Sequence, residues 1–125
     1  LKRLLRALAE QGHQLAVATG KSRLGLDRSL HDYGLGHHFQ ATRCADESRS
    51  KPHPQMLHEL MAATGHGPER TLMVGDSEND VLAAQAAGMK VVGLTYGYNY
   101  GRPIADSRPD WVCEQFAELD ALLAE

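Results

Sequence analysis

The chain has 125 residues, 42% of them hydrophobic and 23% charged, with a formal net charge of -3. That composition fits one globular domain, or part of one, with enough apolar residues for a real core. The acidic balance and the lack of a basic stripe exclude nucleic acid as the default partner, and no apolar run approaches the length of a membrane span or a signal segment.

Leu1, Leu4, Leu5 and Leu8 recur at helical spacing, so a helix is expected from residue 1 to about residue 11, stopped by Gly12. Because that pattern is already running at Leu1, a further segment is expected to precede it. Gln14 to Ala18 reads as a strand, Thr19-Gly20-Lys21 as a loop, and Ser22 to Tyr33 as a helix ended by Gly34. A short strand at Phe39 to Cys44 leads into a loop from Ala45 to His53. Pro54 opens the next helix at its favoured first position, with Met56, Leu57, Leu60 and Met61 turned inward. The apolar run Thr71 to Gly75 reads as a buried strand, followed by an alanine-rich helix from about Asn79 to Ala87 and a closing Gly88. A strand at Lys90 to Leu94, a loop from Thr95 to Pro109 and a strand at Trp111 to Cys113 come next. The final helix turns Phe116, Leu119, Leu122 and Leu123 inward. This alternation predicts a three-layer α/β fold with a doubly wound, mostly parallel sheet, whose functional loops gather at the carboxyl ends of its strands.

Three of those ends carry chemistry. Asp76, Glu78 and Asp80 place three carboxylates within five residues of a strand end. Such a cluster repels itself unless a cation or base joins it, and hard oxygen ligands suit Mg²⁺. The plainer alternative is a set of acids that complements a helix dipole. Asp76 is the best metal ligand of the three. Asp80, one helical turn on, either reaches the ion through water or holds Lys51, and Glu78 is expected to face solvent. At the first strand end, Thr19-Gly20-Lys21 offers a hydroxyl, a close backbone approach and a cation at a helix N-terminus, a phosphate cradle in type. An ordinary turn capped by Ser22 is the alternative, but a cation at that helix end wants an anion nearby. Lys51, held extended by Pro52, is suited to clamp a phosphoryl group and offset carboxylate repulsion, where a lone lysine is otherwise solvated surface.

The remaining polar residues carry less. Cys44 and Cys113 stand far apart without a CxxC pairing and are expected as reduced, strand-borne small hydrophobes in a cytoplasmic protein. No pair among the seven histidines has metal-ligand spacing; His37 and His38 are adjacent and expected to point apart, and His53 reads as a cap or an exposed residue. Tyr96, Tyr98 and Tyr100, in the loop from Thr95 to Arg108, either flank a substrate entrance or pack on the body.

With Thr-Gly, then Lys-Pro, then GDSxND in that order, the chain resembles the haloacid dehalogenase superfamily of phosphatases. Thr19 matches that family's second motif, Lys51 its third, and Asp76 with Asp80 its fourth. The segments ADESRSKPHPQML and MVGDSENDVLAAQAAGM resemble the subgroup containing phosphoglycolate phosphatase and β-phosphoglucomutase. The loop GLTYGYNYGRPI is similar to phosphoglycolate phosphatases in particular, and the likeness covers nearly the whole chain. It implies Mg²⁺-dependent hydrolysis of a small phosphorylated metabolite, phosphoglycolate first, through an aspartyl-phosphate intermediate. In that scheme Thr19, Lys51 and Asp76 are catalytic, Thr19, Gly20, Lys21 and Lys51 bind phosphate, and Asp76 with Asp80 holds the metal. Family members also carry an N-terminal strand ending in DxDGT, whose first aspartate is the nucleophile, and a cap inserted after it. No DxD occurs in this chain. Residues 1–125 are therefore expected to be the C-terminal part of such a core, inactive alone, with the absent strand belonging between those ending at Thr19 and Gly75. The alternatives are a phosphomutase of the same superfamily, an inactive binding protein, or a receiver-like signalling domain. The last is disfavoured because a receiver needs its acidic pair near the first strand.

Overall fold

Caps and breakers in the sequence set most element boundaries. In the computed structural model, which describes residues 2–95, 101–115 and 118–123, helices and strands alternate. They are α1 (Lys2–Glu10), β1 (Ala16–Ala18), α2 (Arg23–Tyr33), β2 (Ala41–Arg43), α3 (Gln55–Thr64), β3 (Leu72–Gly75), α4 (Glu78–Ala86), β4 (Lys90–Leu94), β5 (Trp111–Cys113) and α5 (Glu118–Leu123). Ser22 caps α2, its Oγ accepting the Gly25 N–H at 3.1 Å. Gly34 ends the same helix at φ 64°, a left-handed conformation that glycine adopts without strain. Pro54 stands at the cap position before α3 rather than in its first turn.

Two strands are shorter than their apolar runs, for a local reason in each case. The Leu15 N–H is taken by Gln40 Oε1 at 2.6 Å, so the ladder between β1 and β2 starts at Ala16. The Cys44 N–H turns to Glu47 Oε1 at 2.9 Å, which ends β2.

Every strand pair is parallel: Ala16↔Ala41 to Ala18↔Arg43, Leu72↔Lys90 to Gly75↔Gly93, and Val92↔Trp111 to Leu94↔Cys113. The strands form two sheets, β1-β2 and β3-β4-β5. Among the described residues no strand joins β1 to β3, so the ladder is interrupted where the sequence places an absent strand.

Helices on both faces close that break. On one face Leu57 and Met61 of α3 pack with Met73, Val81, Ala84 and Val91, and Ala18 at the end of β1 lies against the same cluster. Since α3 also rests on β1 and β2, it spans the two sheets. The alanines that make α4 look simple in sequence let it sit close to β3 and β4, with Val81, Ala83 and Ala84 fully buried. On the other face Val92, Leu94, Cys113 and Leu119 form a cluster with Leu4, Leu72, Val74 and Leu123. Here α1 touches both α5 and the 3₁₀ turn Gly36–His38. β3 shows the period-two alternation of a strand buried on both sides: Met73 enters the first cluster, Leu72 and Val74 the second.

Cys44 lies just past β2 and Cys113 on β5; both are buried and free, and burial pushes both thiols above their ordinary range. His37 and His38 do not point apart. Their ring centroids are 3.9 Å from each other, because a 3₁₀ turn rotates successive side chains by about 120° rather than the half-turn of a strand.

The role of α3 can be measured. Leu57 is 3% exposed, and Leu57→Ala should cost about 2–4 kcal/mol through lost burial and the cavity left behind. Urea denaturation reads this as a lower midpoint; a loss below about 1 kcal/mol would mean that α3 is not what joins the sheets.

Candidate active site

Asp80 organises the strand-end face. It is 6% exposed, and a carboxylate buried this far needs donors on both oxygens. Oδ2 accepts the N–H of Asp76 at 3.1 Å, the N–H of Ser77 at 3.2 Å and the Ser77 hydroxyl at 3.3 Å. Oδ1 accepts Lys51 Nζ at 2.5 Å. The same ammonium donates to the carbonyl of Ala18 at 2.9 Å. One lysine therefore ties the end of β1 to the start of α4, from a loop in which the Lys51–Pro52 peptide is cis. Gly75 is required for this arrangement, since a Cβ there would overlap the Asp80 side chain.

Thr19 is half-buried beside that bridge. Its N–H donates to the Arg43 carbonyl at 3.1 Å, and its Oγ1 accepts the Lys21 N–H at 3.1 Å. With the oxygen so engaged, the hydroxyl proton remains available for an acceptor outside the loop. Gly20 and Lys21 are exposed, and the space a Cβ would take at Gly20 is open. Among the described residues the Lys21 ammonium has no ion-pair partner.

Asp76 is exposed, and among the described residues its carboxylate accepts no hydrogen bond. It lines a cavity of about 260 Å³ with Leu94, Thr95, Arg102, Ile104 and Val112. Thr19, Lys51 and Asp76 thus lie on one rim, joined through Ala18 and Asp80. Tyr96, Tyr98 and Tyr100 lie outside the described residues; of their loop, Thr95 and Arg102 reach the cavity beside Asp76. Glu78 does not simply face solvent. It accepts Arg102 Nη2 at 2.6 Å, because the loop after β4 brings a cation to the acidic cluster.

A second polar network was not visible in the sequence. Arg23, in the first turn of α2, donates its backbone N–H to Asp46 Oδ1 at 3.0 Å and its guanidinium to Glu47, Thr42 and Asp27. The argument that a cation at a helix N-terminus wants an anion applies to Arg23 as much as to Lys21, and would have pointed to these acids. Glu47 and then Asp27 hold the guanidinium well above its ordinary range. Arg23, and then the Cys44 N–H, hold the Glu47 carboxyl below its ordinary value of 4.5. Cys44, Asp46 and Glu47 are close enough together for a metal, but the Arg23 guanidinium already occupies the Glu47 carboxylate as its cation.

Residues 1–94 match the family described as haloacid dehalogenase-like hydrolase. The chain belongs to that family. Phosphoglycolate phosphatase of Mannheimia succiniciproducens is 47% identical over 120 residues, which cover 95% of this chain and 54% of that protein. The phosphoglycolate phosphatase of Haemophilus influenzae strain 86-028NP is 44% identical over 124 residues, 98% of this chain and 55% of its own length. The crystal structure of a predicted phosphoglycolate phosphatase from Haemophilus somnus 129pt matches with a TM-score of 0.94 at 42% identity, covering 98% of this chain and 55% of that one. This haloacid dehalogenase-like chain therefore spans about half the length of the curated relatives it matches.

Two outcomes follow from the site's charges. Lys51 and Asp80 have side chains only 15% and 9% exposed, so Asp80→Asn should lower stability by about 3 kcal/mol, the scale for leaving one member of a buried pair uncompensated. A change under about 1 kcal/mol in chemical denaturation would show that water replaces the partner. Because Glu47 is held below 4.5 in the folded chain, its ionised form contributes stability that is complete above that pH and lost as pH falls through the lowered value. The stability gap between the parent chain and Glu47→Gln should accordingly close in acid; a gap that widens there would reverse the assignment.

Proposed function

We propose that the complete protein is a Mg²⁺-dependent phosphatase of a small phosphomonoester, phosphoglycolate first, and that this chain supplies its phosphate cradle and metal carboxylate. The observation that carries this reading is Lys51, held between the Ala18 carbonyl and Asp80, beside the Thr19 hydroxyl and an exposed Asp76. An ammonium has three donors; two are used inside the chain, and the third is left for a phosphoryl oxygen. Thr19 donates its hydroxyl to a second oxygen, while the open space at Gly20 admits the anion and Lys21 adds charge.

The donor set fits Mg²⁺. Asp76 offers a hard carboxylate oxygen without an internal partner, and Asp80, whose oxygens are engaged, is assigned to the ion through water only. When bound, the ion supplies neutralisation of the charge on the transferring group. The nucleophile is assigned to an aspartate of the family's DxDGT strand, outside this chain, forming an aspartyl phosphate that water then hydrolyses. The substrate follows the relatives named phosphoglycolate phosphatase. Two free, buried cysteines support a cytoplasmic setting, and among the described residues no helix is long and apolar enough to cross a membrane.

Assays of the 125-residue chain with Mg²⁺ and phosphoglycolate or an aryl phosphate should show no turnover. In the complete protein, Asp76→Asn should weaken Mg²⁺ binding measured by calorimetry and lower kcat. Lys51→Ala should lower kcat by about a hundredfold, the scale for losing a preorganised charge at a reacting centre. Full activity of the Lys51→Ala enzyme would remove the lysine from the mechanism. Mg²⁺-dependent turnover by the short chain that Asp76→Asn abolishes would put the nucleophile within these residues.

A further inference from the structure

We propose that Arg23 is a positioning residue of this site, setting the spacing between the Thr19 cradle and Lys51 through Glu47 and Asp46; the inference rests on the phosphatase reading above. The two loops leave neighbouring parallel strands, and their ladder ends with the Thr19 N–H on the Arg43 carbonyl. Past that rung the Ala45 N–H reaches the Lys21 carbonyl at 2.9 Å, and Arg23 supplies the rest of the connection.

Its guanidinium grips Glu47 at two points, Nε to Oε2 at 3.2 Å and Nη2 to Oε1 at 2.7 Å. Nη1 reaches Thr42 Oγ1 at 2.9 Å and Asp27 at 3.1 Å. Glu47 Oε1 is also fixed by the N–H of the buried Cys44, where β2 ends. A rigid planar fork thus binds the first turn of α2, the last residues of β2 and the loop that leads to Lys51, four positions beyond Glu47.

The Arg23 and Glu47 side chains are 34% and 37% exposed, and a two-point pair within a network of this kind adds to folding stability. It also fixes orientation. A displacement near 1 Å at a reacting centre lowers a rate by about a hundredfold, and Lys51 Nζ sits at the end of the segment that Glu47 anchors.

The test uses the complete enzyme with phosphoglycolate, with rates expressed per folded molecule. Arg23→Ala should lower kcat by about tenfold or more while KM stays within about twofold. Arg23→Lys, which keeps charge but loses the fork, should restore less than half of the loss. Glu47→Gln should reproduce most of the effect, and the double variant should be no worse than Arg23→Ala, since the residues act through one contact. An unchanged kcat in Arg23→Ala, a rise in KM alone, or complete rescue by Arg23→Lys would overturn the positioning role. If Arg23→Ala does not fold, Glu47→Gln decides by the same criterion. Asp76→Asn and Lys51→Ala measured alongside separate the two levels. Full activity in both sinks the phosphatase reading and this inference with it, whereas their inactivity beside fully active Arg23 and Glu47 variants sinks the positioning role only.

Discussion

Lys51 stands between the carbonyl that ends β1 and the carboxylate that sits in the first turn of α4, and the strand-end face takes its shape from that bridge. An ammonium and a carboxylate this far from solvent are each costly alone, and each removes the other's penalty only at close range. Asp80 cannot relax to meet a misplaced lysine, because its second oxygen is held by the N–H groups of Asp76 and Ser77. The bridge consequently fixes the backbone of Asp76 as well. Gly75 belongs to the same constraint, since only a residue without Cβ lets the Asp80 side chain lie beneath the turn.

The interruption between the two sheets shows why such a bridge matters. Packing on both faces holds the two sheets in one body, with α3 resting on β1, β2 and the cluster around β3 on one side, and α1 touching both α5 and the Gly36–His38 turn on the other. Burial of this kind is non-directional and tolerates sliding. A ladder would normally set the offset between neighbouring strand ends, but among the described residues none joins β1 to β3. Among the described residues, the Lys51 bridge is a directional contact across that edge. Hydrophobic packing keeps the halves together; the buried charge pair aligns their ends.

Much of this was legible in the sequence because the relevant signals are local. Gly34, Ser22 and the periodic apolar residues of α3 state their structural roles within a few positions, and those helices form with small boundary shifts. Lys51, the acid just after β3 and those of α4 were legible as complementary charges at the ends of successive strands. The rest depended on side chains that meet across loops. Gln40 shortens β1 and Glu47 ends β2 through single hydrogen bonds from outside each strand, which periodicity does not register. The Arg23 and Arg102 pairings join residues 24 apart in sequence. The close approach of the His37 and His38 rings depended on a 3₁₀ turn that no residue pattern announced.

The acidic run after β3 reads in sequence as repulsion, and the fold resolves it by bringing a different cation to each carboxylate but one. Asp80 takes Lys51 from the loop after β2, and Glu78 takes Arg102 from the loop after β4. Neither cation comes from α4 itself, so the cluster is neutralised only when the loops are in place. Asp76, the first of the three, is left exposed, with no hydrogen bond to its carboxylate among the described residues. A carboxylate that the fold does not need for its own stability is the one free to serve an outside cation, and in the proposed reading that is its role. The same division separates Lys51 from an ordinary surface lysine: two of its donors are committed to holding the site, and that commitment aims the third.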